Sequence, residues 1–367
     1  MKPFALIIFG ITSNLAQIKL IPALYDMAEK EILPKDITII GISRQPKTKK
    51  AFEKYFYDVL HLENIHHKHP IKKEVFENLC KGLHYLAGDI SDEAFYQRLK
   101  KALLYQNRIF YLATYPNLYE TIFNHLQKNK LNQQQKGWIR LIIEKPIGGD
   151  LPSAKKLNKL LHQYFTEDQI YRLDHYLGKE TLQNILTFRF GNGIFEPLIN
   201  KDHIDHIQIT AAEDYGIGKR GGYFDSVGML KDVGQNHQLQ MIAFATMDAP
   251  EKFSNKEVTR QRIKILKNLA PFPKKIVFGQ YAGYQKEEKV AKNSLTDTFY
   301  AFKTEINNDR FKGVPIYARA GKKLQQTVTE ISIVFKIPTN RLFRHLEKGE
   351  EPNVLIYRIQ PHEGIVL

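Results

Sequence analysis

Over its first 150 residues the chain alternates short apolar runs with longer stretches of helical spacing. Residues 4–9 are apolar throughout and end at Gly10, the pattern of a strand buried on both faces, and residues 15–33 follow with helical periodicity. Further strand-length runs occupy residues 37–42, 83–86, 109–113 and 139–143, separated by helical stretches rich in Leu, Lys, Glu and Gln. This β–α alternation predicts a Rossmann-like, doubly wound parallel sheet with its ligand at the carboxyl ends of the strands. Gly10 onward, Arg44, residues 113–116 and residues 144–146 are therefore expected to converge on one crevice.

After Asp150 the pattern changes. A helical stretch covers residues 151 to about 165 and a dense polar segment covers residues 171–180. Strand-like runs then stand at residues 204–211, 299–306, 314–319, 330–335 and 354–359, with few helices between them. Such a succession predicts a large, mostly antiparallel α+β domain. The expected division is thus α/β plus α+β, residues 1–150 and residues 151–367. The last strand-like stretch approaches Leu367 without a closing helix. A length of 367 residues fits two domains at roughly 150 residues each.

Composition changes this picture little. Apolar residues at 43% and charged residues at 25% are ordinary for a globular chain and exclude wholesale disorder. No apolar run approaches the roughly 20 residues of a membrane span, and residues 1–9 lack the form of a signal peptide. One cysteine, Cys80, supports neither an internal disulfide nor a thiolate metal cage, so the chain reads as cytosolic. Charge matters more: 54 Lys+Arg against 39 Asp+Glu, net +15, calls for an anionic partner. That partner could be nucleic acid, acidic lipid or a small phosphorylated ligand; the basic residues are scattered, with short clusters at 47–50 and 68–73 and no basic tail, which weighs against nucleic acid.

Candidate chemistry falls in three places. Gly10-Ile11-Thr12-Ser13-Asn14-Leu15-Ala16 lies at a strand-to-helix turn, where backbone amides can hold a pyrophosphate. Only the first glycine of the usual fingerprint is present, so a plain turn capped by Ser13 or Asn14 stays open. The end of the second strand carries Ser43-Arg44 with Lys47 nearby instead of an acid, which favours a 2′-phosphate and hence NADP, with a solvated basic loop as the alternative.

Residues 171–180 gather His, Tyr and Lys donors suited to a phosphate or sugar, with a surface helix start as the alternative, and residues 218–225 lead into a helix bearing Asp232 and His237. Five α-helical residues turn about 140°, so Asp232 is not placed to orient His237, and Asp174 is the candidate partner. His61, His66, His67 and His69 match no regular ligand spacing, so no metal is expected. His203 and His206 are expected to flank a turn, and Cys80 to lie on a helix face.

Together and in this order, the segments Glu144-Lys145-Pro146, residues 172–180, residues 220–225, residues 232–237 and Arg319-Ala320-Gly321-Lys322 resemble the glucose-6-phosphate dehydrogenase family over essentially the whole chain. The resemblance implies oxidation of D-glucose 6-phosphate to the 6-phosphogluconolactone with hydride transfer to NADP. It implies His237 as general base, Asp174 as the carboxylate orienting it, and His175, Tyr176 and Lys179 as the phosphate grip. Lys19, Lys145, Glu213, Asp232, Lys322 and Gln360 would hold the sugar. Gly10, Thr12, Ser13, Asn14, Leu15, Arg44, Tyr111 and Lys145 would hold the cofactor, and Pro146 would be a hinge. A homo-oligomer is expected if the sheet edge is intact.

The chain departs from the family pattern at Ser13 and Asn14, where Gly and Asp are usual, and at Thr327, where a second basic residue is usual. Family members also continue beyond the point matching Leu367, so the resemblance implies an NADP-binding domain over residues 1–150 and a substrate-binding domain over residues 151–367 that is incomplete at its C-terminus. These departures motivate a second reading, a catalytically degenerate relative that binds a sugar phosphate or a partner chain without turnover.

Overall fold

The computed structural model describes residues 2–62, 70–133, 136–271, 276–337 and 351–367. His66, His67 and His69 lie outside them. The chain forms two compact units, residues 1–173 and residues 174–367. The division falls beyond residue 150 because the helix that follows packs into the core of the first unit and the short strand after it pairs with the first sheet.

In the first unit six parallel strands are ordered β3-β2-β1-β4-β5-β6. They are β1 (Ala5–Phe9), β2 (Thr38–Ser43), β3 (Leu83–Ala87), β4 (Arg108–Leu112), β5 (Ile139–Ile143) and β6 (Ile170–Arg172). Helices α1 (Ile21–Glu29), α2 (Lys49–Leu60), α3 (Lys73–Lys81), α4 (Glu93–Ala102), α5 (Tyr119–Lys128) and α6 (Leu151–Tyr164) connect them. Two apolar clusters sandwich the sheet, one including Ile7, Phe9, Ile40, Phe110 and Phe123, the other Leu6, Ile8, Ile39, Phe52 and Phe56. Alternate residues of β1 therefore feed opposite faces, which is why its sequence is apolar without a break. The carboxyl ends of β2, β1, β4 and β5 are neighbours, as the alternation predicted. Cys80 lies half-buried on α3, and burial pushes its thiol up to about 11.

The second unit is built on a seven-stranded sheet ordered β13-β12-β11-β7-β10-β9-β8. Its strands are β7 (Ile204–Ala212), β8 (Ile276–Gly279), β9 (Phe299–Thr304), β10 (Ile316–Gly321), β11 (Val328–Phe335), β12 (Val354–Gln360) and β13 (Gly364–Val366). All pairings are antiparallel except β7 with β10. Helices α7 (Glu180–Gly191), α8 (Gly221–Met229), α9 (Leu239–Thr246) and α10 (Asn255–Asn268) accompany it. His206 sits within β7, hydrogen-bonded near Asp205 and Gln208, not at a turn.

Between α8 and α9 the chain runs through Leu230–Gln238 in wide turns, the Leu239 amide reaching back to the Gly234 carbonyl. This five-residue repeat changes the geometry expected for an ordinary helix. Positions 232 and 237 come onto one side of the segment instead of about 140° apart.

Candidate active site

In the second unit the turn after Leu173 is wound by its own side chain. Asp174 Oδ1 accepts the Tyr176 amide at 2.9 Å, and the Asp174 carbonyl accepts the Leu177 amide at 3.0 Å. The same Oδ1 lies 2.7 Å from His237 Nδ1. His237 is buried, its ring stacked on Tyr176 at 4.0 Å between centroids and edge-on to His175 at 4.6 Å. Burial pushes the Asp174 carboxyl up, but the contact with His237, the Tyr176 amide and the charge of His175 outweigh it and hold the group below the ordinary value. An imidazole that donates Nδ1–H to Asp174 carries its lone pair on Nε2, the arrangement of an oriented general base. Asp174, His175 and His237 are the one group among the described residues whose ligand-type atoms all lie within 4.8 Å of one another.

The cationic side of the site is also built from this turn. Lys179 Nζ lies 4.5 Å from the centre of the Tyr176 ring and donates to Gln360 Oε1 at the end of β12. Burial lowers the Lys179 ammonium from its usual value, opposed by the Glu363 carboxylate. His175 is exposed and also meets the Tyr176 ring, at 5.0 Å, so His175 and Lys179 can meet an anion while Tyr176 backs them from within.

Glu213 and Lys322 follow immediately on the parallel neighbours β7 and β10, so their proximity is set by strand register. The Glu213 amide donates to the Gly321 carbonyl at 2.9 Å, and Lys322 Nζ donates to Glu213 Oε2. Lys322 is buried, with Nζ 5.4 Å from the ring centres of both Tyr215 and Phe224. Thr327, at the position where a base was expected, donates to the Asp214 carboxylate and accepts the Asp214 amide at 3.0 Å, fastening this corner. Asp232 is buried and faces Arg220 at 3.5 Å and the Tyr223 hydroxyl at 3.5 Å. Tyr215 was not legible in the sequence; burial and the neighbouring Glu213 push its phenol up to about 12.

In the first unit, Gly10 ends β1 with φ of 87°, and a Cβ there would stand 2.5 Å from the Ala113 carbonyl oxygen. Only glycine tolerates that close crossing. Ser13 Oγ accepts the Ala16 amide at 3.2 Å and so caps the turn, while Asn14 is exposed and Leu15 packs into the core. The Thr12 and Ser43 hydroxyls meet at 2.9 Å, tying the loops after β1 and β2. Arg44 is exposed beside them. A tight strand-to-helix turn at Gly10, with the exposed Arg44 at the end of the neighbouring strand, fits a phosphorylated dinucleotide. Tyr111, expected to touch the cofactor, is instead buried, and its hydroxyl donates to Glu144 at 2.5 Å, supporting the end of β5. Lys145 is half-buried before Pro146, and partial burial lowers the Lys19 ammonium.

The family description "Glucose-6-phosphate dehydrogenase, NAD binding domain" matches residues 7–184, and "Glucose-6-phosphate dehydrogenase, C-terminal domain" matches residues 186–367. The chain belongs to the glucose-6-phosphate dehydrogenase family. It is 42% identical over 378 residues to the glucose-6-phosphate 1-dehydrogenase of Borreliella burgdorferi, covering 99% of this chain and 77% of that protein. To the enzyme of that name from Chlamydia muridarum it is 38% identical over 391 residues, covering 100% and 77%. The crystal structure of glucose-6-phosphate 1-dehydrogenase from Mycobacterium avium superposes with a TM-score of 0.90 at 35% identity, over 98% of this chain and 79% of that one. A glucose-6-phosphate dehydrogenase in complex with glucose 6-phosphate gives 0.90 at 33% identity, over 99% and 76%.

Proposed function

We propose that this family member oxidises D-glucose 6-phosphate to 6-phospho-D-glucono-1,5-lactone with NADP as hydride acceptor. The observation that carries the reading is the 2.7 Å approach of His237 Nδ1 to Asp174, beside the His175, Tyr176 and Lys179 turn. Bound NADP supplies the site that receives the hydride of carbon 1. His237 Nε2 takes the proton of the hydroxyl on that carbon, so that its C–O single bond becomes the lactone carbonyl. Asp174 stabilises the imidazolium formed and fixes the ring's tautomer. Lys179 and His175, backed by Tyr176, hold the phosphate, while Glu213, Asp232, Lys322 and Gln360 hold the sugar. Lys19 and Lys145 belong to the same proposal through the resemblance. Gly10, Thr12, Ser13 and Arg44 would hold the cofactor, the first three through backbone and hydroxyl groups. A homo-oligomeric state and a cytoplasmic location complete the proposal, supported by exposed Val277, Phe278 and Tyr317 on the second sheet and by the single cysteine.

The direct test is nicotinamide absorbance after mixing the chain with NADP and glucose 6-phosphate. Formation of NADPH is expected; a chain that binds both ligands and never reduces NADP would overturn the reading.

Cofactor choice gives a separate prediction. Arg44 offers a charge-assisted contact to a 2′-phosphate, an interaction of about 1.5–3 kcal/mol. Arg44→Ala is expected to weaken NADP binding by about 10–100-fold with little effect on NAD. Calorimetric titration with both nucleotides checks it, and equal affinities in the parent chain would remove the argument.

A further inference from the structure

Gln238 follows the proposed base directly and is fully buried. Its amide spans three adjacent strands. Nε2 donates to the Arg319 carbonyl of β10 at 2.7 Å and lies 3.4 Å from the Ile209 carbonyl of β7, while Oε1 accepts the Tyr300 hydroxyl of β9 at 2.5 Å. Tyr300 is itself fully buried. The backbone also presses on this hydroxyl, since a Cβ at Gly234 would lie 2.7 Å from it. The wide-turn segment therefore touches the sheet at a residue without a side chain and at a polar key one position past His237. Its other end is held by Asp297, whose Oδ2 accepts the Leu230 amide at 2.8 Å and whose carbonyl accepts the Met229 amide at 2.9 Å.

We propose that Gln238 and Tyr300 are positioning residues that set the height of His237 above the sheet and thereby its contact with Asp174. The inference rests on the reading of His237 as the base. A buried amide and phenol satisfied by each other add little to stability over an apolar pair of the same shape, whereas losing one partner strands the other. What the pair adds is direction. An apolar contact lets the segment slide by a fraction of an ångström; two hydrogen bonds of fixed direction on opposite ends of one amide do not. Misplacement of a reacting group by about 1 Å can cost about 10²-fold in rate.

The experiment compares the parent chain, Tyr300→Phe, Gln238→Met and the double variant Tyr300→Phe/Gln238→Leu. For each, turnover, KM for glucose 6-phosphate, melting temperature and the proton NMR signal of the His237 Nδ1–H are measured. The single variants should lose about 10–100-fold in turnover with KM within about threefold, and the low-field Nδ1–H signal should weaken. The double variant should recover melting temperature without recovering turnover. Either of two results overturns the proposal: turnover and the Nδ1–H signal unchanged in both single variants, or turnover returning with melting temperature in the double variant. A parent chain that never reduces NADP would instead count against the reaction itself, and the Nδ1–H signal would still decide whether Gln238 and Tyr300 position the ring.

Discussion

Replacing His237 with Asn is expected to lower turnover by about 10²–10⁴-fold while binding of glucose 6-phosphate survives within a few-fold. Asparagine keeps much of the shape at this buried position and removes the ring nitrogen that accepts the proton. The proposed phosphate contacts lie on the turn carrying His175, Tyr176 and Lys179; the His237 ring packs against two of these residues, but Asn fills much of the same space, so affinity should change by only a few-fold. Steady-state rates together with calorimetry separate the two quantities. An unchanged rate in His237→Asn would show that another group takes the proton, and the assignment of Asp174 as its orienting partner would fall with it.

The second large effect is expected from Asp174→Asn. The new side chain can still accept the Tyr176 amide through its oxygen, so the turn should keep its form, but a neutral amide cannot balance an imidazolium and holds the Nδ1–H tautomer less firmly than a carboxylate does. Turnover should drop by about 10²–10⁴-fold. A pH signature accompanies it. The folded carboxyl titrates below its unfolded value of about 3.9, so the unfolded chain binds more protons through that interval. Its contribution to stability is fully present above the unfolded value and is lost as pH falls through the folded one. Melting temperature measured from neutral to acid pH should therefore fall less steeply at the acid end in Asp174→Asn than in the parent. Parallel acid limbs would mean that the contact with His237 contributes nothing to folding.

Much of this was legible because periodicity and burial are the same fact seen twice. The unbroken apolar run of β1 reports two covered faces, and the end of β5 at Ile143 follows from its apolar residues alone. The misses have equally local causes. β6 is three residues, Ile-Tyr-Arg, too short to show a period, and it carried the first unit past Asp150. β8 exposes Val277 and Phe278, so its pattern lacks an inward face.

The candidate site divided the same way. Asp174 was found as the partner of His237 from helix geometry that does not hold along Leu230–Gln238, yet the pairing is present because the turn at residue 174 supplies it. Asp232 was set apart from His237 by the same assumption of 3.6 residues per turn. Nothing in a sequence announces a wide turn. Gln238 and Tyr300 escaped notice because a glutamine beside a histidine, and a tyrosine in a strand, carry no spacing that links positions 238 and 300. Tyr111 came from the resemblance alone, and its hydroxyl is occupied by Glu144.

The placement of β7 at the centre of the second sheet bears on how the polypeptide acquires its shape during synthesis. Its neighbours on both sides, β10 and β11, begin only at Ile316 and Val328. A ribosome therefore releases the strand that leads to Glu213 long before either pairing edge exists, and the intervening chain must close a large loop before the register between Glu213 and Lys322 can form. Topologies of this kind fold slowly and leave apolar strand edges open meanwhile. Overproduction should consequently reward slow translation and low temperature, and the second unit should be the one that engages chaperones.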